Sequence, residues 1–415
     1  MKFFYRLLFL PVFILAFTGC GKDEDDDDII VVNNDDEETT YVEPYHSLDI
    51  KTDDGKVTQL QKHKVGKGVP IVIMGDGFVD KDIKEGKFRE VTNKALEALF
   101  SKHPLKSLRD YFDVYEVTAV SYHASSAFWD IMDLSTFKTA FSVGVAQEYP
   151  NSVYIGKLNT GDEKKIKEYA KKAIDGNKIN DVTIVMLVND IFTGGITSYS
   201  TYLFTTGYMD VPTGCGISYV TLSDIMRPHD DAQYALTLLH EFGHGFAKLA
   251  DEYVSDERKW YDLESGKDNL ILYQNSGYNR NVSLESDVTK TPWADFAADS
   301  RYDFEKLGCY EGGEYQATGV YRATESSIMD GGWGFSRFNV ASRVMIYKRC
   351  MRLAYGDSWE FNYEDFVKFD LEKAKAENRA YKERYPTYYA KSMRFCAPPR
   401  FVDSVIRSRA IKTTK

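Results

Sequence analysis

Two short, continuous apolar runs give the first structural reading of this chain. Val69-Pro70-Ile71-Val72-Ile73-Met74 is closed by Gly75-Asp76-Gly77, and the run from Asp181 to Val188 (DVTIVMLV) is equally apolar. Runs of this length, bounded by turn residues, read as strands buried on both faces. Residues 80–101 place Ile83, Phe88, Val91, Ala95 and Leu99 at helical spacing among charges, an amphipathic helix. Phe112 to Thr118 alternates like a half-buried strand, and residues 162–174 read as a second surface helix. Strands alternating with helices predict an α/β layer. Residues 231–251 form the next helix, with Ala232, Ala235, Leu236, Leu239 and Phe242 facing the core and His240 and His244 on another stripe. From about 255 to 335 the pattern reads as loop-rich, and helical stretches return near 338–354 and 362–384. There is no internal repeat, and no composition break marks a second domain.

The N-terminus has a different pattern. Lys2 and Arg6 precede an apolar run at residues 8–17 (LFLPVFILAF), which is too short to span a bilayer and reads as an export signal over residues 1–19. Thr18-Gly19-Cys20 resembles the lipobox of bacterial lipoproteins, which implies lipidation of Cys20 and attachment to a membrane surface. Residues 20–46 are acidic and almost without periodicity, a flexible tether that cannot bury enough surface to fold alone. The acidic run after Cys20 also resembles signals that send lipoproteins to the outer membrane and cell surface. The folded domain is expected over residues 47–415.

Composition narrows the partners. The chain has 415 residues, 43% hydrophobic and 14% aromatic, ample for a packed core. A net charge of −11 argues against nucleic acid, which demands clustered Lys and Arg. Cys215, Cys309, Cys350 and Cys396 are widely spaced, so they allow two disulfides in three pairings, or free buried thiols. The oligomeric state is not legible.

The chemistry concentrates at His240-Glu241-Phe242-Gly243-His244, an H-E-x-x-H motif running into Asp251-Glu252-Tyr253. Residues four apart on a helix share a face, so both imidazoles can reach one zinc ion, and Glu241 can accept a proton from the attacking water. A third ligand is needed. Asp251 lies eleven residues after His240, on the same face, but about 10 Å beyond His244 along a straight helix. It serves only if the chain bends back after His244; Glu252, or a distant group, is the alternative.

The extended motif resembles that of the immunoglobulin A peptidase family of zinc metallopeptidases. Ile73-Met74-Gly75-Asp76-Gly77-Phe78, Leu108 to Tyr115, Gly319-Val320-Tyr321-Arg322 and Ser327-Ile328-Met329 agree with it, over residues 66–355. The resemblance implies a metzincin-like endopeptidase, an α/β domain with a mixed sheet and flanking helices, with His240, His244 and Asp251 on zinc, Glu241 as base, and Met329 as an apolar floor beneath the metal. It departs from metzincins in having Ala247 and Ala250 where those enzymes place a glycine and the third ligand.

Tyr253 and Tyr321 are candidate oxyanion donors. Gly194, Gly195 and Ile196 could begin an edge strand that pairs with an extended substrate. Cys215, between two glycines, is a weaker nucleophile candidate. His46, His63, His103, His123 and His229 have no partner spacing and read as surface or structural. The expected function is a surface-anchored zinc endopeptidase acting on extracellular proteins. The alternative is a lipoprotein that keeps the fold as a binding or adhesion module without turnover.

Overall fold

The computed structural model describes residues 45–124, 138–147, 156–190, 194–199, 210–222, 234–255, 259–260, 262–331, 337–384 and 400–401. The export signal, Cys20, His229 and Cys396 lie outside these residues. Residues from Pro44 onward make one compact unit. The tether expected to run to residue 46 already meets the fold at Tyr45, whose hydroxyl donates to Asp80 Oδ1 at 2.9 Å.

In chain order the main elements are β1 (Val57–Gln61), β2 (Val69–Asp76), α1 (Lys87–Leu99), β3 (Phe112–Val117), α2 (Glu163–Ala170), β4 (Thr183–Val188), β5 (Gly195–Tyr199) and β6 (Gly216–Thr221). They are followed by α3 (Tyr234–Ala247), α4 (Leu263–Asn275), β7 (Val282–Ser283), β8 (Tyr310–Gly313), β9 (Gln316–Arg322), α5 (Val340–Tyr355) and α6 (Tyr363–Arg384). None of the described helices is long and apolar enough to cross a membrane.

The large sheet has the order β1-β3-β2-β4-β6-β5. β3, β2, β4 and β6 are parallel, while β1 and β5 run antiparallel to their neighbours, so the sheet is mixed, as the resemblance implies. Successive side chains point to opposite faces of a strand. Ile71 and Ile73 of β2 therefore pack with α1, α3 and α5 in one core, and Val72 and Met74 with α2 in another. Both faces are covered, which explains why these strands read as continuous apolar runs.

Helix α3 lies directly on the sheet. A side chain on Gly216 of β6 would come within 2.1 Å of the Gly245 carbonyl oxygen, so these two glycines let helix and strand touch backbone to backbone. This contact sets the depth of the H-E-x-x-H helix above the sheet.

Two expectations change. The single helix expected over 80–101 is split, with a short turn at Asp80–Lys84 and a left-handed Gly86 (φ 86°) ahead of α1. The region expected to be loop-rich holds α4 and a three-stranded antiparallel sheet in the order β8-β9-β7. Its strands are short and its glycines frequent, which masks the period-two pattern.

A buried charge cluster fastens the C-terminal helices. Arg343 of α5 donates to both oxygens of Asp370 of α6 (2.7 and 2.8 Å), to Glu305, and to the Phe338 carbonyl (2.7 Å). His103 Nε2 sits 2.8 Å from Asp370.

Candidate metal centre

His240 and His244 are fully packed on α3, with Nε2 atoms 3.0 Å apart. His240 Nδ1 lies 3.0 Å from the Ile328 carbonyl, and His244 Nδ1 lies 2.6 Å from the Leu249 carbonyl. A carbonyl only accepts, so each Nδ1 carries the proton and both Nε2 atoms present lone pairs to the same point.

The helix ends at Ala247 because Lys248 turns left-handed (φ 54°). Its N–H closes a last bond to the His244 carbonyl (2.9 Å), after which Leu249 N–H reaches back to Gly243 O (3.3 Å). A left-handed non-glycine residue costs roughly 1–2 kcal/mol. The returning chain is pinned by Asn281, which accepts from Ala250 N–H (2.7 Å) and donates to Ala250 O (2.9 Å). Asp251 Oδ1 thereby comes to 3.0 Å from His240 Nε2 and 3.3 Å from His244 Nε2. The bend that Asp251 needs is present. It falls four residues after His244, one later than the glycine position of metzincins, and the carboxylate follows at seven rather than six.

Glu252, the alternative ligand, faces away from the histidines. Its carboxylate accepts from Asn281 (2.9 Å), Ser327 Oγ (2.7 Å) and Asn339 (3.0 Å), and its N–H donates to Met329 O (2.8 Å). Met329 is fully buried, and its sulfur packs over Gly243, the residue before His244. Glu252 thus ties the methionine turn to the returning strand.

Glu241 is fully buried beside β5. Thr197 Oγ1 donates to Glu241 Oε2 at 2.7 Å, and Ser218 Oγ donates to the Glu241 carbonyl at 2.8 Å. Glu241 Oε1 and Asp251 Oδ1 are buried without hydrogen-bond partners. Burial pushes the Glu241 carboxyl above its ordinary value, although the two histidines and Thr197 oppose it.

The donor set fits a divalent metal. Two bare imidazole nitrogens and a carboxylate oxygen converge in a buried site, an arrangement that is unfavourable without a cation between them. Bonds of ~2.0–2.1 Å in tetrahedral array put ligand atoms about 3.3 Å apart, close to the spacings observed. A proton answers the same need in part. Burial works against charge on His240, but Asp251 outweighs it and raises the imidazole to about 9.

The model of the IgA peptidase M64 family matches residues 59–302, more than half of the chain. The chain belongs to the IgA peptidase M64 family. A comparison with curated proteins finds no match. M64 enzymes are metallopeptidases, so the protein is a peptidase whose His240, His244 and Asp251 fit a metal site.

The remaining sequence candidates of this M64 chain are placed as follows. Gly195 and Ile196 open β5, the last full strand of the large sheet, and Gly195 packs against Glu241; a Cβ there would sit 2.6 Å from Glu241 Cγ. The two-residue segment Arg400–Phe401 pairs parallel with Ser198 and Tyr199 at the other end of β5. The buried Tyr253 ring stacks edge-on against Tyr315, whose hydroxyl donates to Asp251 Oδ2, whereas Tyr321 lies within β9 opposite Glu311 and Ser283. Cys215, Cys309 and Cys350 are free thiols, and burial pushes Cys215 up to about 11, which makes it a poor nucleophile. His103 is structural, and His63 Nδ1 meets Asp113 at 2.8 Å.

Thr197, Asn281, Glu314 and Tyr315 were not legible as site residues. Thr197 has no spacing to the motif, and the others arrive from the small sheet, whose short strands carry the pattern of loop.

Proposed function

We propose that this protein is a zinc-dependent endopeptidase, anchored through a lipid on Cys20 at the outer membrane and cell surface, that hydrolyses extracellular proteins. The observation that carries the reading is the convergence of His240, His244 and Asp251 beside a buried Glu241 with one unpartnered oxygen. Bound by these three residues, zinc supplies a Lewis acid that acidifies water and polarises the scissile carbonyl.

The chain's own residues supply the proton handling. Glu241 Oε1 accepts the proton of the attacking water while Thr197 holds Oε2, and Glu241 then returns that proton to the leaving amine. Met329 closes the site from below, and Glu252 keeps it in place. The backbone of Gly194, Gly195 and Ile196 receives the substrate as an added strand, next to the base.

The test is metal analysis together with digestion of a broad peptide library by wild type and Glu241→Ala. The expected result is one zinc in both proteins and internal cleavage by wild type alone. Zinc in both with cleavage by neither would sink the enzyme reading and favour a binding module.

A further inference from the structure

The hairpin joining β8 to β9 is built against local preference. Gly313 pairs with Gln316, which leaves Glu314 and Tyr315 as a two-residue loop, both left-handed (φ 44° and 68°). Two-residue hairpins of this hand favour Asn-Gly, because a side chain at positive φ crowds the following carbonyl. Glutamate and tyrosine are poor choices for turning a corner. Such strain persists where surrounding contacts over-determine it, and it gathers at functional sites.

Those contacts all go to one place. Glu314 N–H donates to Asp251 O (2.9 Å), and Tyr315 N–H donates to Tyr253 O (3.0 Å). Ser255 N–H donates back to Tyr315 O (3.1 Å). The Tyr315 ring is buried edge-on against Tyr253 at 5.4 Å, and its hydroxyl donates to Asp251 Oδ2. One carboxylate oxygen is therefore occupied, while Oδ1 faces both histidines with no hydrogen-bond partner.

On the metal-site reading above, we infer that Tyr315 is the positioning residue that confines Asp251 to ligation through a single oxygen. A carboxylate is free to close on a metal with both oxygens, which would fill a position that water and substrate need. A hydrogen bond fixed on Oδ2 removes that option and sets the rotation of the carboxylate, as outer partners of metal ligands do elsewhere. The strained loop places the hydroxyl where no regular strand residue would put it. Tyr315 itself touches neither metal nor substrate.

Tyr315→Phe keeps the ring and deletes the hydroxyl. The experiment measures zinc affinity by chelator competition and the visible absorption of the cobalt(II)-substituted protein, with circular dichroism of the metal-free forms as the folding control. The variant is expected to bind zinc roughly ten- to a hundredfold more weakly. Its cobalt bands are expected to lose intensity, as happens when a four-coordinate ion gains a fifth ligand. Affinity within about twofold of wild type with an unchanged cobalt spectrum would overturn the inference. If Tyr315→Phe does not fold, infrared difference spectra of zinc uptake by wild type labelled with carbon-13 aspartate decide the matter. A wide splitting of the carboxylate stretches supports ligation through one oxygen, and a narrow splitting refutes it. A wild type that takes up neither zinc nor cobalt removes the metal-site reading and this inference together. Metal uptake with an unchanged variant removes the inference alone.

Discussion

Thr197 donates its hydroxyl to Glu241 Oε2 at 2.7 Å, and the second oxygen of that carboxylate is left buried and without a partner. The two residues come from different elements, strand β5 and helix α3, so the sheet orients the base. Hydrogen bonds to charged groups contribute about 1.5–3 kcal/mol. Thr197→Val is isosteric and should lower kcat/KM roughly ten- to a hundredfold with metal content unchanged. Thr197 also helps hold down a carboxyl that burial pushes up. Its loss should therefore move the acid limb of the pH–rate profile to higher pH, since the base works only when ionised. Steady-state kinetics across pH check both; an unchanged acid limb would contradict the role.

Gly195 has no room for a side chain, because a Cβ would lie 2.6 Å from Glu241 Cγ and 2.8 Å from Oε1. Gly195→Ala should displace the base and reduce kcat by roughly a hundredfold or more, on the order of what removing a general base costs. Metal content, measured by atomic absorption, should stay near one per chain. Loss of metal instead would place the effect on the histidines.

How much of this was readable beforehand differs by element. The parallel strands, the H-E-x-x-H helix and the two C-terminal helices follow from periodicity, because their burial is regular. The return of Asp251 is not periodic. It depends on Lys248 adopting a left-handed backbone that tertiary contacts impose, and propensity gives no sign of it. Tyr315 and Asn281 were hidden for a related reason: they sit on turns of a short-stranded sheet, where local pattern carries little information.

Lys248 offers a direct test of that bend. At φ 54° glycine fits best and a β-branched residue worst. Both Lys248→Gly and Lys248→Val lose the buried amine, so the difference between them isolates the backbone. The valine variant should be less stable by about 1–2 kcal/mol or more and bind zinc less tightly. Urea unfolding of the two metal-free variants measures it; equal midpoints would show that the bend is not strained.

The Arg343–Asp370 pair predicts a pH dependence. Arg343 and His103 hold Asp370 far below the ordinary aspartate range despite burial, and burial lowers His103. In each case the unfolded chain takes up the proton first as pH falls, so stability should decline through roughly 6.5 for His103 and below about 3.9 for Asp370. Burial raises Glu377, whose contribution has the opposite sign. Asp370→Asn should cost about 3–5 kcal/mol near neutral pH, because Arg343 is left buried with half its pairing. The penalty should shrink only below about pH 3.9, where the contribution of Asp370 is lost. Chemical unfolding from neutrality down to about pH 2 gives the answer, and a penalty that stays constant below about pH 3.9 would refute the linkage.

On the proposed function, the metal is held by His240, His244 and Asp251, not by Glu252. Anomalous diffraction from crystals of the zinc-loaded protein, recorded on both sides of the zinc absorption edge, tests it most directly. One strong peak is expected within bonding distance of His240 Nε2, His244 Nε2 and Asp251 Oδ1, with Glu252 still bound to Ser327 and Asn339. A peak that includes Glu252, or one that lies away from the two histidines, would contradict it.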